Sequence, residues 1–136
     1  MKNASLVKDY LDRASARLKA IDVLEQERSF ADVVRESQEV IELSLKALLR
    51  FSQIAVPRIH DVSPVMKENM DRLPAEVRDH VDRLSKISRS LRRDRELAFY
   101  GSEDLTPSEF YQAEDAAEAS ESAKWVVGLI REVCLG

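Results

Sequence analysis

The chain has 136 residues, about the size of one domain, and a net charge of −4. Its 3 Gly and 4 Pro are too few turn-formers for a sandwich or barrel, and a single cysteine, Cys134, excludes an internal disulfide and a cysteine-based zinc site. No apolar run approaches the ~20 residues of a membrane span, and MKNASLVKDY lacks a signal peptide's apolar stretch, so a soluble, cytoplasmic, all-α protein with one domain over residues 1–136 is expected.

The first helix is predicted from about Ser5 to Glu25, with Leu6, Tyr10, Leu11, Ala14, Leu18, Ile21 and Leu24 on one stripe. Ser29 reads as the cap of a second helix running to about Ile54. That helix carries two apolar arcs, Phe30, Val34, Ile41, Leu45 and Leu48 on one side and Val40, Leu43, Ala47 and Ile54 on the other. A helix apolar on most sides belongs in the middle of a bundle. Ser63 with Pro64 starts a short helix to about Met70, and Pro74 opens a fourth that Gly101 ends after Phe99 or Tyr100. Thr106-Pro107-Ser108-Glu109 has the form of a capping box and starts a last helix to about Val133. Its buried stripe is Ala113, Ala116, Ala117, Ser120, Ala123, Val127 and Ile130. The expected fold is an up-and-down bundle of four main helices plus a short one.

Charge is segregated. Residues 78–95 hold Arg78, Arg83, Lys86, Arg89, Arg92, Arg93 and Arg95, whereas residues 103–121 hold seven acids and no Lys or Arg. Two antiparallel helices with facing charges would produce this pattern, and so would separate basic and acidic surfaces for different partners. Arg95 is the anomaly. It falls about five turns after Val77, in the apolar stripe of Val77, Val81, Leu84, Ser88 and Leu91. A charge there needs an acid such as Glu36, Glu39 or Glu42, the solvent, or a groove at a dimer seam. Wide apolar faces on the second and fourth helices add to the expectation of a homodimer.

Several pieces then occur in order: Arg35-Glu36 through Glu42-Leu43-Ser44-Leu45-Lys46-Ala47-Leu48-Leu49, Pro57 with His60-Asp61, Arg95-Glu96-Leu97-Ala98-Phe99-Tyr100-Gly101, and the Ala-rich last helix. Over roughly residues 5–133 the chain resembles the HEPN family of small all-α proteins. The resemblance implies dimers and a partner, a minimal nucleotidyltransferase, in a toxin–antitoxin-like pair. The family's active branch is a metal-independent RNase marked by Arg followed four to six residues later by His. Neither His60 nor His80 follows an Arg at that spacing, and Tyr100 stands where the His would follow Arg95. A phenol is a weaker base than imidazole at neutral pH.

The resemblance therefore implies a non-catalytic or weakly catalytic module that binds RNA or a nucleotide. The alternatives are an active endoribonuclease, with Arg95 on the phosphate and Tyr100 replacing His, and a plain structural bundle. Candidate site residues are Arg95 and Tyr100 for catalysis and Arg89, Arg92 and Arg93 for nucleic-acid contact. Tyr100 is also the candidate acceptor of AMP from the transferase. No cofactor or metal is expected. His60-Asp61 reads as a loop hydrogen bond or an early helix cap, His80 as a packed histidine, and Glu42–Lys46 as a helix-surface ion pair.

Overall fold

A computed structural model describes residues 2–100 and 105–136, giving the helical backbone alone for residues 2 and 91–100. Its helices are α1 (Lys2–Gln26), α2 (Phe30–Phe51), α3 (Ser63–Glu68), α4 (Ala75–Arg78), α5 (Val81–Tyr100), α6 (Pro107–Phe110) and α7 (Ala113–Leu135), with a 3-10 turn at Met70–Arg72. The long helices α1, α2, α5 and α7 build the bundle, and no described residue is in a strand.

α2 is the hub. It packs against α1, α5 and α7, and both of its apolar arcs are buried: Val33, Val40, Ala47 and Leu49 as well as Ile41, Leu45 and Leu48. On α1 the buried stripe is Val7, Leu11, Ala14 and Ile21. Val7 therefore replaces the expected Leu6, which remains exposed. On α7 the core is Ala116, Ser120, Ala123, Val126, Val127 and Ile130, while Ala113 and Ala117 face outward.

Three helix boundaries differ from expectation, each for a local reason. α2 stops at Phe51 because Gln53 adopts a left-handed backbone (φ 58°) and the Ile54 N–H bonds back to Leu49 O at 2.9 Å. This closing turn drops the Ile54 side chain into the core. The fourth helix is divided by a turn at Asp79-His80, although Val77, Val81, Leu84 and Ser88 still form one buried stripe. The last helix is also in two parts. Thr106 Oγ1 caps α6 by accepting from Glu109 N at 3.2 Å, but Tyr111 turns extended (ψ 137°) to bury its ring against Ala31 and Val34. Gln112 and Asp115 then form a second capping box that starts α7.

Ser29 precedes α2 as expected, yet its hydroxyl bonds the Asp32 carboxylate at 2.6 Å and caps no backbone N–H. Nor is Ser63 the cap of α3: it is the first residue of the helix, the cap position is Val62, and the Asp61 carboxylate just before it accepts from the Ser63 N–H. α5 and α7, which carry most of the basic and acidic segments, both pack on α2. Where they meet, Arg83 lies over the Trp125 ring at 3.7 Å and His80 meets the same ring edge-on at 5.5 Å. His80 is thus a packed histidine.

Candidate functional site

The loop after α2 carries His60 and Asp61 back across the bundle. Its Pro57 and the left-handed Gln53 turn the chain away from the α2 axis. Arg72 fixes the loop's base by donating to Gln53 O at 2.6 Å. His60 Nδ1 then lies 2.5 Å from Glu42 Oε1, and Lys46 Nζ reaches Glu42 Oε2 at 3.2 Å. The expected Glu42–Lys46 pair is therefore part of a larger cluster. Glu42 and Lys46 are mostly covered, whereas about half of the His60 side chain is exposed. Upstream on α2, Glu36 pairs with Arg17 of α1 at 3.4 Å and with its neighbour Arg35 at 3.8 Å.

Asp61 points the other way, toward α5. Its Oδ1 accepts from Ser63 N at 2.9 Å, Ser63 Oγ at 2.7 Å and Ser88 Oγ at 3.0 Å. Ser88 Oγ in turn accepts from the buried Val62 N–H at 3.0 Å. Burial alone would push the Asp61 carboxyl up. The bonds from Ser63 and Ser88, with the nearby Arg89 charge, outweigh it and hold the carboxyl below its ordinary value. The structure thus gives Asp61 the role of an early helix cap.

Of the nucleic-acid candidates, Arg89 is exposed on α5, next in sequence to Ser88 and within electrostatic reach of Asp61. Arg83 and Lys86 are exposed on the same helix. Arg92, Arg93, Arg95 and Tyr100 belong to the continuous helical backbone of α5, and their side chains lie outside the described residues. The site that can be built joins Glu42, Lys46 and His60 on one side of the 60–62 loop to Asp61, Ser88 and Arg89 on the other. Chemically it offers a carboxylate-held imidazole and an exposed guanidinium on rigid supports.

The Glu42–His60 contact is the element that sequence reasoning missed. Its signal was present in Pro57 and in the polar Ser52-Gln53 after α2, which mark a reversal rather than a continued helix. Among the described residues no group of three His, Cys, Asp or Glu is arranged to hold a metal ion, and no described helix is long and apolar enough to cross a membrane.

No curated protein and no solved structure matches the chain. The family model of the HEPN domain matches residues 7–133, nearly the whole length, and the all-helical bundle agrees with that match. The chain belongs to the HEPN domain family.

Proposed function

We propose that this protein is a non-catalytic or weakly catalytic HEPN module. In this reading it forms a homodimer, works beside a separate minimal nucleotidyltransferase in a toxin–antitoxin-like pair, and binds RNA or a nucleotide. The observation that carries the reading is α5 itself. It is one unbroken helix from Val81 to Tyr100 with Arg83, Lys86 and Arg89 exposed, and its sequence continues through Arg92, Arg93 and Arg95. A basic run on a rigid element attracts phosphates without reading base identity. Tyr100 ends that element and is the residue we assign as the acceptor of AMP from the transferase.

Three measurements test this reading. The transferase should label the wild type and leave Tyr100→Phe unlabelled. Replacing Arg92 and Arg93 with Ala should weaken RNA binding for all sequences alike and flatten its salt dependence. Sedimentation at tens of micromolar, roughly the range in which weak dimers dissociate, should show a dimer. Labelling unchanged in Tyr100→Phe together with RNA binding unchanged in the double variant would leave only a structural bundle.

One observation favours a second reading, a metal-independent endoribonuclease. Glu42 holds His60 by Nδ1, and a carboxylate that fixes an imidazole is how many general bases are oriented. In that reading Arg95 binds the scissile phosphate, and His60 competes with Tyr100 for the part of proton carrier. Cleavage lost in His60→Ala but kept in Tyr100→Phe assigns the proton to the loop, and the reverse assigns it to α5.

A further inference from the structure

The first turn of α1, the end of α2 and the loop after it border a cleft of about 440 Å³. Its lining is Asn3, Arg50, Gln53, Ile54, Ala55 and Val56. Arg50 is half-buried, and among the described residues no carboxylate pairs with it. Its Nε is enclosed and has no hydrogen-bond partner, whereas the two Nη groups at its tip are not enclosed. The guanidinium lies over the Tyr10 ring, with Cζ 5.7 Å from the ring centre, which holds it in place. Arginine is mostly exposed, or paired where it is covered, so a half-covered guanidinium without an acid requires an explanation.

The end of α2 does not supply one. A helix C-terminus attracts cations, but its last carbonyls here already have donors. Leu48 O takes Ser52 N at 3.0 Å, Leu49 O takes Ile54 N at 2.9 Å, and Arg50 O takes Gln53 N at 3.1 Å and Asn3 Nδ2 at 2.6 Å. Charge selects the ligand. No residue of the lining is acidic, and neither Met1 nor Lys2, which precede it in sequence, carries a side-chain carboxylate. α5 runs beside the other end of α2, where Ile87 and Ser90 meet Val34 and Ser37. One guanidinium matches one negative charge, and its two Nη groups form a fork that fits the two oxygens of a carboxylate. Gln53 adds a side-chain amide donor. The N–H groups of Ala55 and Val56 bond to nothing else among the described residues. The side chains of Ala55 and Val56 give the cleft an apolar side, and the volume falls within the ~300–1,000 Å³ of small-molecule sites.

We infer that this cleft binds a monocarboxylate with a short apolar body. The carboxylate accepts from the Nη groups of Arg50, and the body lies against Ala55 and Val56. The carboxylate belongs either to a free small molecule or to the C-terminus of another protein chain. None of His60, Asp61 and Arg89 lines this cleft.

Calorimetric titration of the full chain with isovalerate, with N-acetyl-valine and with uncharged isovaleramide tests the inference. At least one carboxylate should bind one per chain, weaken with salt, and exceed isovaleramide by about tenfold or more. Tighter binding of isovalerate assigns the free molecule, whereas N-acetyl-valine binding as well or better assigns a chain terminus. Ala55→Asp, at an exposed position, places a competing carboxylate in the cleft and should weaken binding about tenfold. Arg50→Gln should do the same; if it does not fold, Ala55→Asp alone decides. Absence of binding by either carboxylate at about 10 mM, equal binding of isovaleramide, or binding that Ala55→Asp leaves unchanged overturns the inference.

Discussion

Asp61 and Ser88, 27 residues apart, share a hydrogen bond of 3.0 Å that ties the loop after α2 to the middle of α5. Ser88 is the hinge of the arrangement, because its hydroxyl also accepts from the buried Val62 N–H. Ser88→Ala leaves that N–H without its partner. Unsatisfied buried groups cost about 1–3 kcal/mol, so denaturant unfolding should show a loss in that range. A loss below about 0.5 kcal/mol, the scatter of neutral surface changes, would mean that water replaces the hydroxyl.

The same carboxylate gives the protein a specific acid response. Because the Asp61 carboxyl titrates lower in the folded chain than in the unfolded one, its contribution is complete above about pH 4. That contribution disappears as pH falls through the depressed folded value. Wild type should therefore exceed Asp61→Asn in stability at pH 6, and the gap should narrow below about pH 4. Thermal unfolding of both proteins across that range reads the difference directly, and a gap independent of pH would show that the carboxylate is not the stabilising form.

Much of the bundle was legible because apolar spacing survives local accidents. The stripe of Val77, Val81, Leu84 and Ser88 stays buried although the helix is cut at Asp79-His80. Tyr111 shows where such reasoning ends. Its position after a good capping box gives no hint that the ring turns inward against Ala31 and Val34, since that pull comes from residues 80 and 77 positions earlier. The site divides along the same line. Asp61 could be read as a cap from its neighbours alone, but the meeting of His60 with Glu42 depends on a loop reversal that only the folded chain specifies.

Gln53 and Arg28 both hold left-handed backbones, with φ of 58° and 59°, where L side chains are disfavoured. That conformation costs about 1–2 kcal/mol for a residue with a side chain, and glycine's extra unfolded-state freedom returns about 0.5–1 kcal/mol of the gain. Gln53→Gly and Arg28→Gly should each raise stability by up to about 1 kcal/mol, the difference between these two effects. Gln53→Ala should not. Equal melting temperatures for the glycine and alanine variants would refute the argument.

Cys134 is half-buried near the end of α7, and burial pushes its thiol up to about 12. At pH 8 it is therefore almost entirely protonated, and the thiolate is the reactive form. A disulfide reagent should react with the unfolded chain many times faster than with the native one. Comparable rates in the two states would show that the end of α7 frays.

The central position of α2 has a consequence for how the molecule opens. Fraying at either chain end, or release of α6, leaves its amides enclosed by α1, α5 and α7. Peptide hydrogens around Leu45, Leu48 and Leu49 should then exchange with solvent only through global unfolding. Their exchange rates would report the stability of the whole bundle, while those of α6 report a local event.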